Sequence, residues 1–85
     1  MSFAPTSITM ADAGQALRDG LAAIAQGDRM IDLSRLSRFD SSAVSAVLAW
    51  RRAATARGAQ LQIAAVPDGL RSLAQLYGLQ DFIGS

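Results

Sequence analysis

Residues 31–44 read Ile-Asp-Leu-Ser-Arg-Leu-Ser-Arg-Phe-Asp-Ser-Ser-Ala-Val, and this stretch decides the kind of fold. Met30-Ile31-Asp32-Leu33 is short and apolar, with Gly27-Asp28 before it and Ser34 after it. That pattern predicts a strand over residues 29–33. Residues 34–40 read as a connection. Asp40, Ser41 and Ser42 are good helix-capping residues, and a long helix is predicted from about Ser41 to Arg57, with Gly58 as its stop. Val44, Val47, Leu48 and Thr55 lie near one stripe of that helix. Arg51 falls close to the stripe, where its alkyl stem can cover apolar surface while the guanidinium reaches water. Trp50 flanks the stripe among Ala43, Ala46 and Ala54. Two readings of it stand side by side: core packing under a neighbouring helix, or an aromatic anchor in a flat binding patch.

Upstream, the segment from Phe3 to Ser7 contains Pro5 and is expected as an edge strand or a tail. Thr9-Met10-Ala11-Asp12 fits the acid-ended variant of a capping box. Ala13, Leu17, Leu21 and Ile24 follow at helical spacing, and Gly27 can end that helix in the left-handed conformation. Gly20 within it implies a close approach to the sheet. Downstream, Leu61 to Val66 reads as a strand, and Pro67 opens a third helix with Leu70, Leu73, Ala74 and Tyr77 on its apolar face. Tyr77 is expected mostly in the core with its hydroxyl near the surface. Gly78 ends the helix, and a short terminal segment covers residues 79–83. Strands alternating with helices predict an α/β sandwich in one domain spanning residues 1–85. The expected sheet is small and mixed, with about four strands, parallel central strands and three main helices.

Composition removes whole classes of chemistry. Hydrophobic residues make up 51% of the 85, so a core forms without metals or cross-links. There is no cysteine and no histidine, so disulfides, thiol nucleophiles and the commonest neutral-pH base are excluded. The chain has no lysine and no glycine-rich phosphate loop. Net charge is +1, too weak for a generic nucleic-acid surface. No apolar run is long enough to span a bilayer, and the N-terminus lacks a secretory pattern. The expected location is therefore the cytoplasm. Asp32 and Asp40 can approach one another at one end of the sheet, as a metal site or acid/base pair. The plainer reading favours Asp32 as a loop anchor and Asp40 as a helix cap. No catalytic residue, metal or cofactor is assigned.

Taken in order, Ile31-Asp32-Leu33-Ser34 and Phe39-Asp40-Ser41-Ser42-Ala43 resemble the pattern of the STAS domain family, and the resemblance continues through Arg57-Gly58 to Leu79. It implies a SpoIIAA-like fold and a non-enzymatic, protein-binding role. Ser72-Leu73-Ala74-Gln75-Leu76-Tyr77-Gly78-Leu79 is similar to a signature of the MlaB branch. That likeness implies docking on the cytoplasmic MlaF-like ATPase of an ABC transporter, with its permease, that moves phospholipid and maintains outer-membrane lipid asymmetry. The domain would sit peripherally at the inner membrane through this partner, with no direct insertion. The alternative branch comprises anti-sigma factor antagonists, in which the position matching Ser41 is a phosphoacceptor. Ala43 stands where the family often has glycine. Ser41 is thus expected as a partner contact or phosphoacceptor. Asp40, Ser42, Trp50, Arg38 and Arg52 are expected at the partner surface, and the isolated chain can form a homodimer.

Overall fold

The computed structural model describes residues 3–79. In chain order its elements are β1 (Ser7–Ile8), α1 (Ala13–Ala25), β2 (Met30–Asp32), β3 (Arg38–Phe39), α2 (Ser41–Ala56), β4 (Gln62–Ala64) and α3 (Asp68–Leu76). Strands and helices alternate as the sequence predicts, except that β3 follows β2 directly, giving an α/β fold with four strands and three helices among the described residues. Beyond Leu79, the expected terminal segment lies outside the described residues.

Every strand pairing among the described residues is parallel, where a mixed sheet was expected. β1 pairs with β3, and β2 pairs with β4 with Ile31 opposite Ile63. β3 falls within the stretch expected as a connection; at two residues it has no periodicity to announce it. The N-terminal segment is not an edge or a tail. The Phe3 carbonyl accepts the Asp32 N–H at 2.9 Å on one side, and the Thr6 carbonyl accepts the Ser37 N–H at 2.9 Å on the other. The segment therefore lies between β2 and β3. Buried Pro5 separates these two pairings. It has no N–H to donate, and the ladder divides into two two-stranded pieces, β1–β3 and β2–β4. Parallel strands need a crossover between them, here a helix each time. All three helices consequently start at the edge where the strands end.

The core gathers Ile8, Ile31, Leu33, Val47, Leu70 and Trp50, all fully buried. Trp50 is 0% exposed, which removes it from the partner surface and settles it in the core. Its indole N–H donates to the Leu17 carbonyl at 3.2 Å. The Phe3 ring meets it edge-on, with centroids 5.7 Å apart and planes at 86°. Gly20 makes the space, since a Cβ there would overlap the indole. The close approach of Gly20 is thus to α2, not to the sheet. α1 buries Ala16, Gly20 and Ile24, a stripe of mostly small residues, while Leu21 is left 36% exposed. On α2 the stripe is Ala43, Val44, Ala46, Val47, Trp50 and Ala54, and Thr55 is exposed.

Each helix ends on a glycine with positive φ: Gly27 at 101°, Gly58 at 73° and Gly78 at 69°. In each case the glycine N–H and the next N–H bond back to the last turn, as with Gly78 to Gln75 at 3.0 Å and Leu79 to Ala74 at 2.8 Å. These are Schellman motifs, which satisfy carbonyls that the helix end would otherwise orphan. At its start, α3 begins at Asp68, so Pro67 is the capping residue rather than the first helical one. Tyr77 caps the other end and is 57% exposed, not packed in the core as expected.

Two substitutions test the Trp50 contact. Gly20→Ala would stabilise an ordinary helix by about 1 kcal/mol. Here it should destabilise by about 1–3 kcal/mol through overpacking. Trp50→Ala should cost about 3–5 kcal/mol. Urea unfolding followed by far-UV circular dichroism reads both.

Candidate functional site

The candidate site forms where β3 delivers the chain into α2. Asp40 is extended, with φ −138° and ψ −163°, and acts as the N-cap of α2. Its Oδ1 accepts the Ser42 N–H at 2.8 Å and also the Ser42 hydroxyl. Its Oδ2 accepts the Met10 N–H at 2.9 Å. The backbone N–H of Asp40 donates to Ile8 at 3.3 Å. One residue thus ties the start of α2 to the end of β1 and to the turn before α1. Ser42 is half-buried and its hydroxyl is committed to Asp40. Ser41 is exposed on the first turn of α2.

The turn before α1 has a carboxylate hub of its own. Asp12 accepts the Thr9 N–H at 2.6 Å and the Ser7 hydroxyl at 2.6 Å. The Thr9 hydroxyl accepts the Ala11 N–H at 3.3 Å, and its carbonyl accepts the Ala13 N–H at 2.7 Å. Only the acidic half of the expected box forms: Asp12 takes the Thr9 N–H, but the Thr9 hydroxyl takes the N–H of Ala11 rather than of Asp12, and regular helix begins only at Ala13 with Asp12 in the N-cap position. The partner of Asp40 across this turn, Met10, was not among the residues the sequence singled out. Met10 is visible there as an apolar residue outside the helical stripe. Its bond to a carboxylate thirty positions away has no local signal.

Hydrogen bonds hold three carboxyls below the usual carboxylate range. For Asp40 the Ser42 hydroxyl contributes most, followed by the Met10 N–H. For Asp12 the Ser7 hydroxyl leads, and for Asp32 the Ser34 N–H. Asp32 accepts that N–H at 2.8 Å and anchors the loop after β2, as expected. Both Asp32 and Asp40 are therefore charged groups engaged by local donors. No group of three or more acidic, histidine or cysteine side chains is placed to hold a metal among the described residues.

The other expected surface residues separate. Arg38 is exposed on β3, two residues before Asp40. Arg52 is exposed in the C-terminal half of α2, eleven positions beyond Ser41, or about 16 Å along the helix axis. It does not join the Ser41 site. Arg52 instead lines an open groove of about 790 Å³ with Leu48, Arg51, Thr55, Leu61 and Leu79. There Arg51 is half-buried and donates from Nη1 to the Leu61 carbonyl at 3.1 Å.

The start of α2 therefore presents an exposed Ser41 beside a Ser42 whose hydroxyl is committed to Asp40. The sequence family described as "Mlab, STAS domain" matches residues 6–84. This chain belongs to the STAS domain family. No curated protein and no solved structure matches it. STAS domains are generally non-enzymatic. Among the described residues of this STAS domain, no helix is long and apolar enough to cross a membrane.

The three lowered carboxyl pKa values fix a pH dependence. A depressed folded-state pKa contributes stability above the unfolded value, about 3.9 for aspartate, and that contribution is lost as pH falls through the folded value. The urea midpoint should therefore drop as pH is taken from 7 to 3. Asp40→Asn keeps a capping oxygen but cannot titrate, so its midpoint should fall less over the same range.

Proposed function

We propose that this STAS domain is a non-enzymatic subunit of an ABC transporter, docking on its cytoplasmic ATPase. The transporter would traffic phospholipid between the two membranes of a Gram-negative cell and so maintain outer-membrane lipid asymmetry. The observation that carries this reading is the MlaB-type match over residues 6–84. It is supported by the exposed Ser41 at the rigidly capped start of α2. Ser41 and the neighbouring Arg38 contact the ATPase in this reading. Asp40 and Ser42 hold the surface in shape from beneath. The domain reaches the inner membrane only through the ATPase and permease. When isolated, it pairs with a second copy through the same surface.

A second reading has one observation in its favour. Ser41 is exposed at a helix N-terminus, where backbone N–H groups and the helix dipole stabilise an added phosphate. In that reading the chain is an anti-sigma factor antagonist switched by phosphorylation of Ser41. Buried Ala43 lies two residues on, where the family often has glycine, and its methyl packs into the core rather than beside the exposed Ser41.

Co-purification separates the two. The tagged chain, extracted from its native cells in mild detergent, should bring down a P-loop ATPase and a permease in stoichiometric amounts. Ser41→Glu should lose both. A phosphorylated Ser41 fraction in mass spectra, with a kinase and no transporter subunit recovered, would establish the antagonist reading instead.

A further inference from the structure

We propose that the groove between α2 and β4 is the docking site of this chain's own residues 80–85, which cover the outer edge of β4. This holds whether or not the domain serves a transporter.

The first observation is the chemistry of the groove. Its volume is about 790 Å³, and its lining combines the apolar side chains of Leu48, Leu61 and Leu79 with the guanidinium groups of Arg51 and Arg52. Arg51 is half-buried. Its Nη1 donates to the Leu61 carbonyl at 3.1 Å, and its Nε is buried with no hydrogen-bond partner among the described residues. A buried donor left without an acceptor is costly, more so on a charged group. The carbonyl that Arg51 does reach is neutral. An occupant that suits this groove is therefore apolar and carries a carboxylate.

The second observation is the edge beside it. β4 pairs with β2 on one side, and the Phe3 bridge to Ile31 lies on the far side of β2. Among the described residues β4 is thus the last strand of its ladder. The Gln62 N–H faces β2 and donates to the Arg29 carbonyl at 2.8 Å, so the Leu61 carbonyl of the same peptide group faces outward, where Arg51 meets it. An uncovered edge of this kind is a template for pairing with another chain, and folded proteins cover it with a loop, a helix or charge.

The sequence places a matching occupant at the groove. Leu79 is both a lining residue and the last described one, so the chain continues from the wall of the groove itself. It continues as Gln80-Asp81-Phe82-Ile83-Gly84-Ser85. Asp81 supplies the carboxylate for Arg51 and Arg52, and Phe82 and Ile83 supply the apolar cover. Six residues extend to about 20 Å. The run of α2 from Leu48 to Ala56 along the groove is about 12 Å, which is within that reach. A segment tethered this closely has an effective concentration in the millimolar range, whereas a second copy or a separate protein must also give up its free translation and rotation.

The test uses NMR on the full chain, at a concentration where sedimentation shows a monomer. Cross-peaks should connect the Phe82 ring and the Ile83 methyls to the methyls of Leu48 and Leu61. The filled groove should also bind 8-anilinonaphthalene-1-sulfonate, an apolar anion, only weakly. Phe82→Ser combined with Ile83→Ser should raise the dye affinity about tenfold or more by releasing the segment. Adding Arg52→Asp should lower it again, which places the dye in the groove. Asp81→Asn alone should raise it a few-fold. Equal dye affinity in wild type and the double variant would overturn the proposal, and so would the absence of cross-peaks from Phe82 and Ile83 to the groove. Cross-peaks found only between labelled and unlabelled copies would assign the groove to a second copy and overturn it too. Should the double variant fail to fold, the wild-type cross-peaks decide alone.

Discussion

The fold turns on the fit of one indole against one glycine. Trp50 can be fully buried only because Gly20 offers no side chain where α1 crosses α2. That contact sets how close the helices lie, and the Leu17 carbonyl satisfies the indole N–H, so burial leaves no orphan donor. Phe3 closes the other side of the ring, which draws the N-terminal segment into the sheet. Interiors are packed to near-crystalline density, so a contact this tight fixes position as well as energy. An 85-residue chain has a small core and few such contacts to spare.

Carboxylates do the corresponding work at the surface. Asp12, Asp32 and Asp40 each spend their oxygens on nearby N–H and hydroxyl donors, and each is held in its charged form by them. They shape the backbone of the loop after β2 and of the starts of α1 and α2. The groove beside Arg51 and Arg52 stands apart from this arrangement, farther along α2.

Much of this was legible in the sequence because it is encoded locally. Capping at Asp40, the acidic half of the Thr9–Asp12 box and the stops at Gly27, Gly58 and Gly78 each involve residues within a few positions of one another. Helical spacing likewise marked Val44, Val47, Leu70 and Ala74 as buried. What escaped depends on partners distant in the chain. The two-residue β3 exists only through its pairing with β1, and Phe3 lies inside the sheet only because β2 and β3 flank its segment. Trp50 looked equally suited to core or surface because the glycine that makes room for it lies thirty positions earlier. Asp40 was legible as a cap, and its second oxygen, which holds Met10, was not.

The purely parallel pairing has an electrostatic consequence. Because every helix starts at the edge where the strands end, the three peptide dipoles point the same way and add. At the edge carrying Ser41, each helix start meets an acidic residue of its own: Asp12 before α1, Asp40 at the cap of α2 and Asp68 in the first turn of α3. Each carboxylate offsets the partial positive charge of its helix start, so three aligned dipoles are carried without concentrating positive charge at that edge.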